Sequence, residues 1–421
     1  MHRALTISEI VDEIFSYIVE PSLGLAGFGS RPGPPSVTGK TLAALAVTCR
    51  TFRDPALAVR WRRLSGLRPL IRLFPRNTWL HDTENDKDVE LEFARLPSKE
   101  EWINFETYTS RIREITVGSG QFKGIIHFMA TLSMKYLPHP SHHLFPKLQS
   151  LIWQSQETSQ LSLVHLFLPP SLRSLHLGFQ DINRLGAPTM LLLLEYQCIM
   201  LTHLSVKGLH LGGSVNLAPV LQALKSSSCQ QLQSLNLGLV DESILSHLAQ
   251  LPTLKDLSVQ LPDSISTSIA SNDGFTSLRT LSFFARNVGD VFLFLQSAQL
   301  SLKSIKIQLF ENEARSTILP LSSLQQLFSS ISNGLCHSSL TQIEINHWTG
   351  HRYLDITFDI AILQPLLLFS NLKHLRLDSL FAFNWNDNTL TELVNAWPRL
   401  EKLVINHVGW QRSSGINLPP L

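Results

Sequence analysis

A motif of the form Leu-x-x-Leu-x-Leu, with other apolar residues at some positions, recurs through the last three quarters of the chain. It occurs eleven times, and the first residues of successive instances are 22 to 38 residues apart. A unit that recurs in this way cannot bury its apolar edge alone, so neighbouring units are expected to stack. The instances are Ile112-Ile115-Val117, Leu148-Leu151-Trp153, Leu172-Leu175-Leu177, Leu201-Leu204-Val206, Leu232-Leu235-Leu237, Leu254-Leu257-Val259, Leu278-Leu281-Phe283, Leu302-Ile305-Ile307, Leu340-Ile343-Ile345, Leu372-Leu375-Leu377 and Leu400-Leu403-Ile405.

Each motif is predicted to form a strand, with helices between several of the motifs. The last two apolar residues of a motif are two apart, which is the side-chain period of a strand. Helical segments are predicted at 241–250, 288–298 and 321–331. The pattern resembles leucine-rich repeats, whose periods are about 20–29 residues. The asparagine that usually follows the last leucine is mostly missing, so we predict an irregular α/β solenoid, with parallel strands on its concave side and helices on its convex side.

The first eighteen residues are predicted to contain an amphipathic helix. Apolar residues lie at offsets of 3, 4, 7, 8 and 11 from Ile7, which places them on one stripe of a helix. Thr6 and Glu9 have the spacing of a capping box, so the helix is expected to start near Ile7 and to fade near Glu20. The stripe consists of Ile7, Ile10, Val11, Ile14, Phe15 and Ile18.

Two further short helices are predicted before residue 65. One starts near Thr41 and has Leu42, Leu45, Ala46 and Cys49 on its apolar face. The other is predicted to start at Asp54-Pro55, because an acidic N-cap followed by proline is a helix-start signal, and carries Leu57, Trp61 and Leu64. Three helices of this length bury little surface alone, so they are expected to need a partner chain or the rest of the protein.

These helices resemble an F-box. The matching positions form the pattern Leu-x-x-x-Glu-Ile-x-x-x-Ile-Phe, then Leu-x-x-Leu-x-x-x-Cys-Arg-x-Phe, then a helix ending at tryptophan. Three features depart from the family: Ile7 stands in the slot usual for proline, Thr48 in that for valine, and the loop at about 21–40 is long. The matching residues are Leu5, Glu9, Ile10, Ile14, Phe15, Leu42, Leu45, Cys49, Arg50, Phe52 and Trp61.

The resemblance implies that the helices bind the Skp adaptor of an SCF-type cullin–RING ubiquitin ligase. We therefore predict an F-box at 1–65, a helical and loop linker at 66–110, and the solenoid at 111–421. This layout resembles F-box proteins of mushroom-forming fungi. The predicted adaptor-binding residues are Leu5, Ile7, Glu9, Ile10, Ile14, Phe15, Leu42, Leu45, Cys49, Phe52 and Trp61.

A target protein is expected to bind the outward-pointing residues of the strands, which lie between and just after the leucines of each motif. In the later repeats these positions mix charged and aromatic residues, as interfaces do, whereas the earlier repeats carry residues such as Ser174 and Ser234. The alternative is that these residues form an ordinary solvated face of the sheet that binds no target. The predicted target-binding residues are Phe284, Lys306, Gln342, Glu344, His347, Trp348, His374, Arg376, Asp378, Lys402 and Asn406.

Composition argues against several other classes of protein. A net charge of +2 argues against a dedicated nucleic-acid-binding protein, which normally has a concentrated basic face. The four cysteines form no Cys-x-x-Cys pair, which argues against a disulfide framework or a zinc site and favours a reducing compartment. The apolar runs are too short to span a bilayer and the acidic N-terminus is unlike a signal peptide, so we expect an intracellular protein.

No catalytic role, metal or cofactor is predicted. The segment 31–45 ends in Gly39-Lys40-Thr41 and superficially matches a P-loop, but Pro34 stands in the slot of the first glycine and has no N–H for a phosphate. We predict the target-recognition subunit of a ubiquitin ligase. The alternatives are an F-box scaffold outside ubiquitination and, more remotely, a nucleotide hydrolase that uses Lys40 and Thr41.

Overall fold

The computed structural model divides the chain into two compact units. The first comprises Met1–Leu201 and Lys207–Cys229, and the second Thr202–Val206 and Gln230–Leu421. The predicted division after residues 65 and 110 stays a prediction. The structure describes residues 7–18, 37–80, 93–118, 125–137, 143–155, 164–179, 200–208, 230–262, 274–297, 300–310, 321–348, 357–358, 360–378, 382–383 and 386–405.

Three helices open the first unit: α1 (Ser8–Ser16), α2 (Val37–Thr48) and α3 (Arg50–Trp61). The predicted starts of the second and third helices were wrong. Helix α2 begins before Thr41, and α3 begins directly after Cys49, whose extended backbone separates it from α2. Pro55 lies inside α3, where it lacks the N–H that the helix would use. Pro55 and Ala56 are buried, and this packing offsets the lost hydrogen bond.

In its described residues, the rest of the first unit contains four parallel strands, which pair in chain order, with helices before and between several of them. A 3₁₀ turn spans Arg76–Thr78. The elements are β1 (Arg63–Ser65), α4 (Arg68–Ile71), α5 (Lys99–Thr109), β2 (Glu114–Val117), α6 (Ile125–Tyr136), β3 (Ser150–Ser155) and β4 (Ser174–Phe179).

Strand β1 was absent from the sequence prediction. Leu64 lies opposite Ile115 of β2 in a parallel pair, so this segment adds a strand before the first predicted motif. Trp61 and Leu64 occupy the first two positions of the motif, but the third is Gly66, with φ of 116°. A glycine is the residue that adopts such a backbone readily. Because the third apolar residue is missing, the segment did not match the pattern.

The described residues of the second unit contain eight parallel strands that pair in chain order, and two further short strands, Thr357–Phe358 and Ala382–Phe383, that pair with each other. A 3₁₀ helix spans Ile360–Leu368. The elements are β5 (His203–Gly208), β6 (Ser234–Leu239), α7 (Glu242–Ala249), β7 (Asp256–Gln260), β8 (Thr280–Ala285), α8 (Val288–Ser297), β9 (Ser304–Phe310), α9 (Leu321–Gly334), β10 (Gln342–Trp348), β11 (Thr357–Phe358), β12 (His374–Asp378), β13 (Ala382–Phe383), α10 (Asp387–Ala396) and β14 (Lys402–Ile405).

All eleven predicted motifs lie at strands, and the three predicted helices are present as α7, α8 and α9. The alternation of side chains explains this agreement. In β9, Ile305, Ile307 and Leu309 are buried, whereas Ser304, Lys306 and Gln308, which alternate with them, are partly exposed. A strand directs successive side chains to opposite faces, so the leucine positions lie on a buried face in each motif strand except β14, where Leu403 is 41 % exposed. The chain is therefore a mixed α/β protein with parallel strands.

A capping box starts helix α5 and is linked to the preceding segment by an ion pair. The Ser98 side chain accepts a hydrogen bond from the Glu101 N–H, and Ser98 N–H donates to Glu101 Oε2. The Arg95 guanidinium donates to both oxygens of Glu101, at 2.7 and 2.9 Å. These bonds, with that from Arg95 the strongest, lower the pKa of Glu101 from 4.5 to about 2.

The stability of the first unit is therefore expected to depend on pH through Glu101. A folded-state pKa below the unfolded one stabilises the fold above about pH 4.5, and this stabilisation is lost as pH falls towards 2. Glu101→Gln is expected to cost about 1 kcal/mol at pH 7 and almost nothing near pH 2, because a partly exposed pair is screened by water. Urea unfolding at both pH values measures this difference. Glu100→Gln, the exposed neighbour, serves as the control, and an equal loss in both variants would contradict the assignment.

Candidate binding surfaces

Helix α1 carries apolar residues on two faces. Its inner face contributes Val11 and Phe15, which are 1 % and 4 % exposed and pack in a core with Leu42 of α2 and Ala56 of α3. The Phe15 ring meets that of Phe52 edge-on at 5.5 Å. This core explains how three short helices hold together within the first unit.

The outer face of α1 consists of Ile7, Ile10, Ile14 and Tyr17, which follow one another at helical spacing. The three isoleucines are 46 %, 38 % and 43 % exposed, and Tyr17 is more exposed still. The sequence predicted a single stripe that included Ile7, Ile10 and Ile14 with Val11 and Phe15. The structure divides that stripe, because only part of a wide apolar arc can contact α2 and α3. Within the described residues, the outer face of α1 is left uncovered.

The other predicted adaptor-binding residues have mixed positions. Leu42 is buried, whereas Leu45, Cys49 and Phe52 are half-buried, and Glu9 is exposed. The Trp61 ring packs on that of Tyr108 in α5 at 4.8 Å. Near this contact, Arg111 Nη2 lies 2.9 Å from Asp54 Oδ1 and connects the end of α5 to α3. Leu5 lies outside the described residues.

The remote nucleotide-binding hypothesis rested on Lys40 and Thr41. Both lie within α2, together with Gly39. A Cβ atom placed on Gly39 would lie 3.6 Å from the guanidinium carbon of Arg60 in α3, so this turn of α2 faces a neighbouring helix. The segment 19–36, which would have to supply the phosphate loop, lies outside the described residues.

Eight of the eleven predicted target-binding residues, all except His347, Trp348 and Asn406, lie side by side on the outward face of β8, β9, β10, β12 and β14. Lys306, Glu344 and Arg376 occupy one register row across β9, β10 and β12. Two further rows flank this one: Gln342, His374 and Lys402 form the first, and Phe284, Gln308, Asn346 and Asp378 the second. For His347 and Trp348 only the backbone is described, and Asn406 lies outside the described residues.

Four charged residues of this face and one asparagine form a connected group, which we call the sheet-face cluster. It consists of Lys306, Glu344, Asn346, Arg376 and Asp378. Lys306 Nζ donates to Glu344 Oε1 at 3.0 Å, and Asn346 Nδ2 donates to the same oxygen at 2.9 Å. Arg376 donates through Nε and Nη2 to Asp378 Oδ2, at 3.1 and 2.6 Å. Arg376 Nε also lies 3.9 Å from Glu344 Oε1, which joins the two ion pairs.

The carboxylates of the sheet-face cluster lie deeper than its cations. The side chains of Glu344 and Asp378 are 15 % and 6 % exposed, against 36 % for Lys306 and 42 % for Arg376. Burial raises the pKa of Glu344, but hydrogen bonds from Asn346 and Lys306 and the nearby cations outweigh burial and lower it overall. Glu344 is therefore ionised at neutral pH, and the accessible ends of the cluster are cationic.

Sequence reasoning missed a row of basic residues at the amino ends of the strands. In four repeats of the second unit, the residue after the first apolar residue of the motif is Lys255, Arg279, Lys303 or Lys373; Arg113 and Arg173 occupy the same slot in the first unit. Backbone hydrogen bonds connect these positions: Arg279 N–H donates to Lys255 O, and Lys303 N–H to Arg279 O. Thr341 interrupts the row before Lys373. We call the four residues of the second unit the edge row; comparing the same slot across repeats would have found it.

Other kinds of site find no support in the described part of the chain. There, no three His, Cys, Asp or Glu side chains gather in a way that could hold a metal ion. No described helix is both long and apolar enough to cross a membrane.

Comparisons with known proteins provide no family for this chain. No protein-family profile and no curated protein matches it. Among solved structures, a protein from Bacteroides fragilis is 14 % identical in sequence and superimposes with a TM-score of 0.28. The match covers 56 % of this chain and 66 % of that one. A TM-score of this size carries no information about fold or function.

Proposed function

We propose that this protein is the target-recognition subunit of an SCF-type cullin–RING ubiquitin ligase, acting inside the cell. Helices α1–α3, which resemble an F-box, would bind the Skp adaptor. The strands, as an irregular leucine-rich-repeat solenoid, would hold a target protein. In this role no residue of the chain performs chemistry. Binding would raise the effective concentration of the target near the ubiquitin-conjugating enzyme.

The observation that carries the proposal is the outer face of α1, which is left uncovered within the described residues. Soluble proteins rarely leave contiguous apolar residues exposed unless these contact a partner. Ile7, Ile10 and Ile14 each retain about two fifths of their surface in water. Covering the remainder would contribute about 1 kcal/mol for each side chain. The same helix already has its own core contacts through Val11 and Phe15, so the outer face is not needed to fold the three helices.

The burial pattern narrows the proposed adaptor contacts. Ile7, Ile10 and Ile14 are available to a partner, whereas Phe15 and Leu42 support the helices from inside. Phe52 and Trp61 are half-buried against rings of the same chain. A substitution at Phe15 would therefore disturb adaptor binding through folding, which makes it a poor test of contact.

Capture by purified Skp adaptor tests the proposal. The variant Ile10→Asp, Ile14→Asp is expected to bind at least about a hundredfold more weakly than the wild type, because two carboxylates would enter an apolar interface unpaired. The matched control is Ile103→Asp, Met134→Asp, which changes two exposed apolar residues on α5 and α6 and is expected to bind normally. Circular dichroism should show both variants folded. Absence of capture by the wild type, or equal capture by both variants, would refute the proposal.

Adaptor binding alone leaves the role in ubiquitination to be tested. A reconstituted ligase containing the captured protein is expected to transfer ubiquitin to a target fused to a ligand of the strand face. Adaptor capture without any transfer would favour the alternative, a scaffold that uses the adaptor outside ubiquitination.

A further inference from the structure

We propose that the second unit binds an acidic, extended peptide segment along the edge row and the exposed cations of the sheet-face cluster. This inference rests on the proposed function in one respect: it identifies that segment as part of the target protein. It is carried by the distribution of charge over one face of the parallel strands.

Cations outnumber carboxylates on one face of the strands of the second unit. On the described strands β6–β14, the outward face and the slot before each strand carry seven cations and four carboxylates. The chain as a whole has a net charge of only +2, so this face holds a local excess of positive charge. The cations are Lys255, Arg279, Lys303, Lys306, Lys373, Arg376 and Lys402, and the carboxylates are Asp256, Glu344, Asp378 and Glu401.

Some of these cations are already neutralised by ion pairs within the chain. Lys306 and Arg376 pair with the recessed Glu344 and Asp378, and Lys373 Nζ lies 2.6 Å from Glu401 Oε1. Arg279 and Lys303 lie directly before β8 and β9 and are exposed, and neither forms an ion pair within the described residues. The same holds for the exposed Lys402 of β14, whereas Lys255 is partly exposed and donates to Gln233 Oε1 at 3.0 Å. The accessible charge is therefore mainly that of Arg279, Lys303 and Lys402, reinforced by the partly exposed heads of Lys306 and Arg376.

The length of the edge row matches that of a short extended peptide. Adjacent strands lie about 4.8 Å apart, so the edge row from Lys255 to Lys373 spans four strand spacings, or roughly 19 Å. An extended peptide advances about 3.3 Å per residue, so about six residues running across the strands would cover the row. Carboxylates on such a segment would meet lysine and arginine heads along its whole length.

A peptide fits this face better than a nucleic acid does. Nucleic-acid sites are dominated by cations that contact successive phosphates. Here Asp256, Glu344, Asp378 and Glu401 are interspersed among the cations. Half-buried Phe284 and Phe310 lie on the same face and offer apolar contacts to the uncharged side chains of a peptide.

Fluorescence anisotropy with defined peptides tests the inference. The probe is a labelled eight-residue peptide of alternating glutamate and serine, with the matched glutamine–serine peptide as the neutral comparison. The full-length protein is expected to bind the acidic peptide at least tenfold more tightly at 50 mM salt. Raising the salt to 300 mM is expected to weaken that binding by roughly tenfold, because exposed charges are screened. Equal binding of the two peptides would overturn the inference.

Two variants locate the binding. Arg279→Glu, Lys303→Glu is expected to weaken acidic-peptide binding by roughly tenfold or more. The control Lys99→Glu, Lys147→Glu changes the net charge equally on the first unit and should have little effect. Glu344→Gln removes a recessed carboxylate and is expected to strengthen binding about twofold to threefold, a gain that misfolding would not produce. Equal weakening by the first pair and its control, or a loss in Glu344→Gln, would contradict the assignment.

A competition experiment decides between ligand classes, and adaptor capture separates the two proposals. Tighter binding of a twelve-nucleotide uridine RNA than of the acidic peptide would overturn the peptide assignment.

The variant Arg279→Glu, Lys303→Glu is expected to capture the adaptor as well as the wild type does. Acidic-peptide binding without adaptor capture would refute the ligase proposal alone, and adaptor capture without acidic-peptide binding would refute this inference alone.

Discussion

Replacing Phe15 by alanine is expected to lower the free energy of unfolding of the first unit by about 3–5 kcal/mol. The Phe15 side chain is almost fully buried between α1, α2 and α3, and its ring meets Phe52 at 5.5 Å. Removing it would leave a cavity that three short helices have few other contacts to offset. Urea unfolding followed by circular dichroism measures the loss. The labelling rate of the half-buried Cys49 thiol, which lies between α2 and α3, should rise in parallel.

The matched control is Ile14→Ala, one residue earlier on the same helix. Ile14 is 43 % exposed, so the change in unfolding free energy is expected to stay within about 0.5 kcal/mol. Comparable losses at Phe15 and Ile14 would mean that α1 packs in another orientation. The outer face would then no longer be free for the adaptor. The pair thus tests the packing on which the adaptor proposal depends, without requiring the adaptor.

The apolar stripe of α1 illustrates how far a helical pattern can be interpreted from sequence. Offsets of 3, 4, 7 and 8 define a broad apolar arc, and that arc was predicted correctly. Which half of it contacts the chain depends on where α2 and α3 lie, and this is a tertiary property. Ile10 and Phe15 are equivalent in the pattern, yet one is exposed and the other buried. Helical periodicity therefore could not separate core residues from candidate contact residues.

The strands were predicted more successfully because their pattern is repeated and local. The period of two places Ile305 and Ile307 on one face whatever the neighbouring repeats do. The errors occur where a residue acts through its context. Gly66 removes the third apolar position at β1, and Pro55 suggested a helix start although buried packing carries α3 through it.

The sequence predicted which charged residues form one row on the strand face, but not how deeply each of them is buried. Equivalent motif positions on neighbouring strands brought Lys306, Glu344 and Arg376 into one row, as expected. Sequence alone treats the three charges as equal. In the fold, Glu344 lies lower than the two cations and is held by Asn346, a residue absent from the predicted site. The difference in depth makes the accessible surface cationic, and depth cannot be inferred from spacing.

Placing aspartate at Ile305 is expected to unfold the second unit. Ile305 is fully buried on β9, between Leu281 of β8 and Ile343 of β10. An unpaired carboxylate there would cost several kcal/mol, against a total stability of about 5–15 kcal/mol for a typical domain. The buried acid would have a raised pKa, so the destabilisation should be larger at pH 7 than at pH 4, where the acid would be protonated.

Ser304→Asp, the preceding residue of the same strand, is the control. Its side chain points to the outward face, and the cost is expected to stay below about 1 kcal/mol. Circular dichroism and urea midpoints at pH 4 and pH 7 measure both variants. Equal tolerance of aspartate at 304 and 305 would contradict the buried face of β9. It would also contradict the parallel stacking of leucine positions, because the same two-residue alternation places the motif residues on a buried face in all the described motif strands except β14.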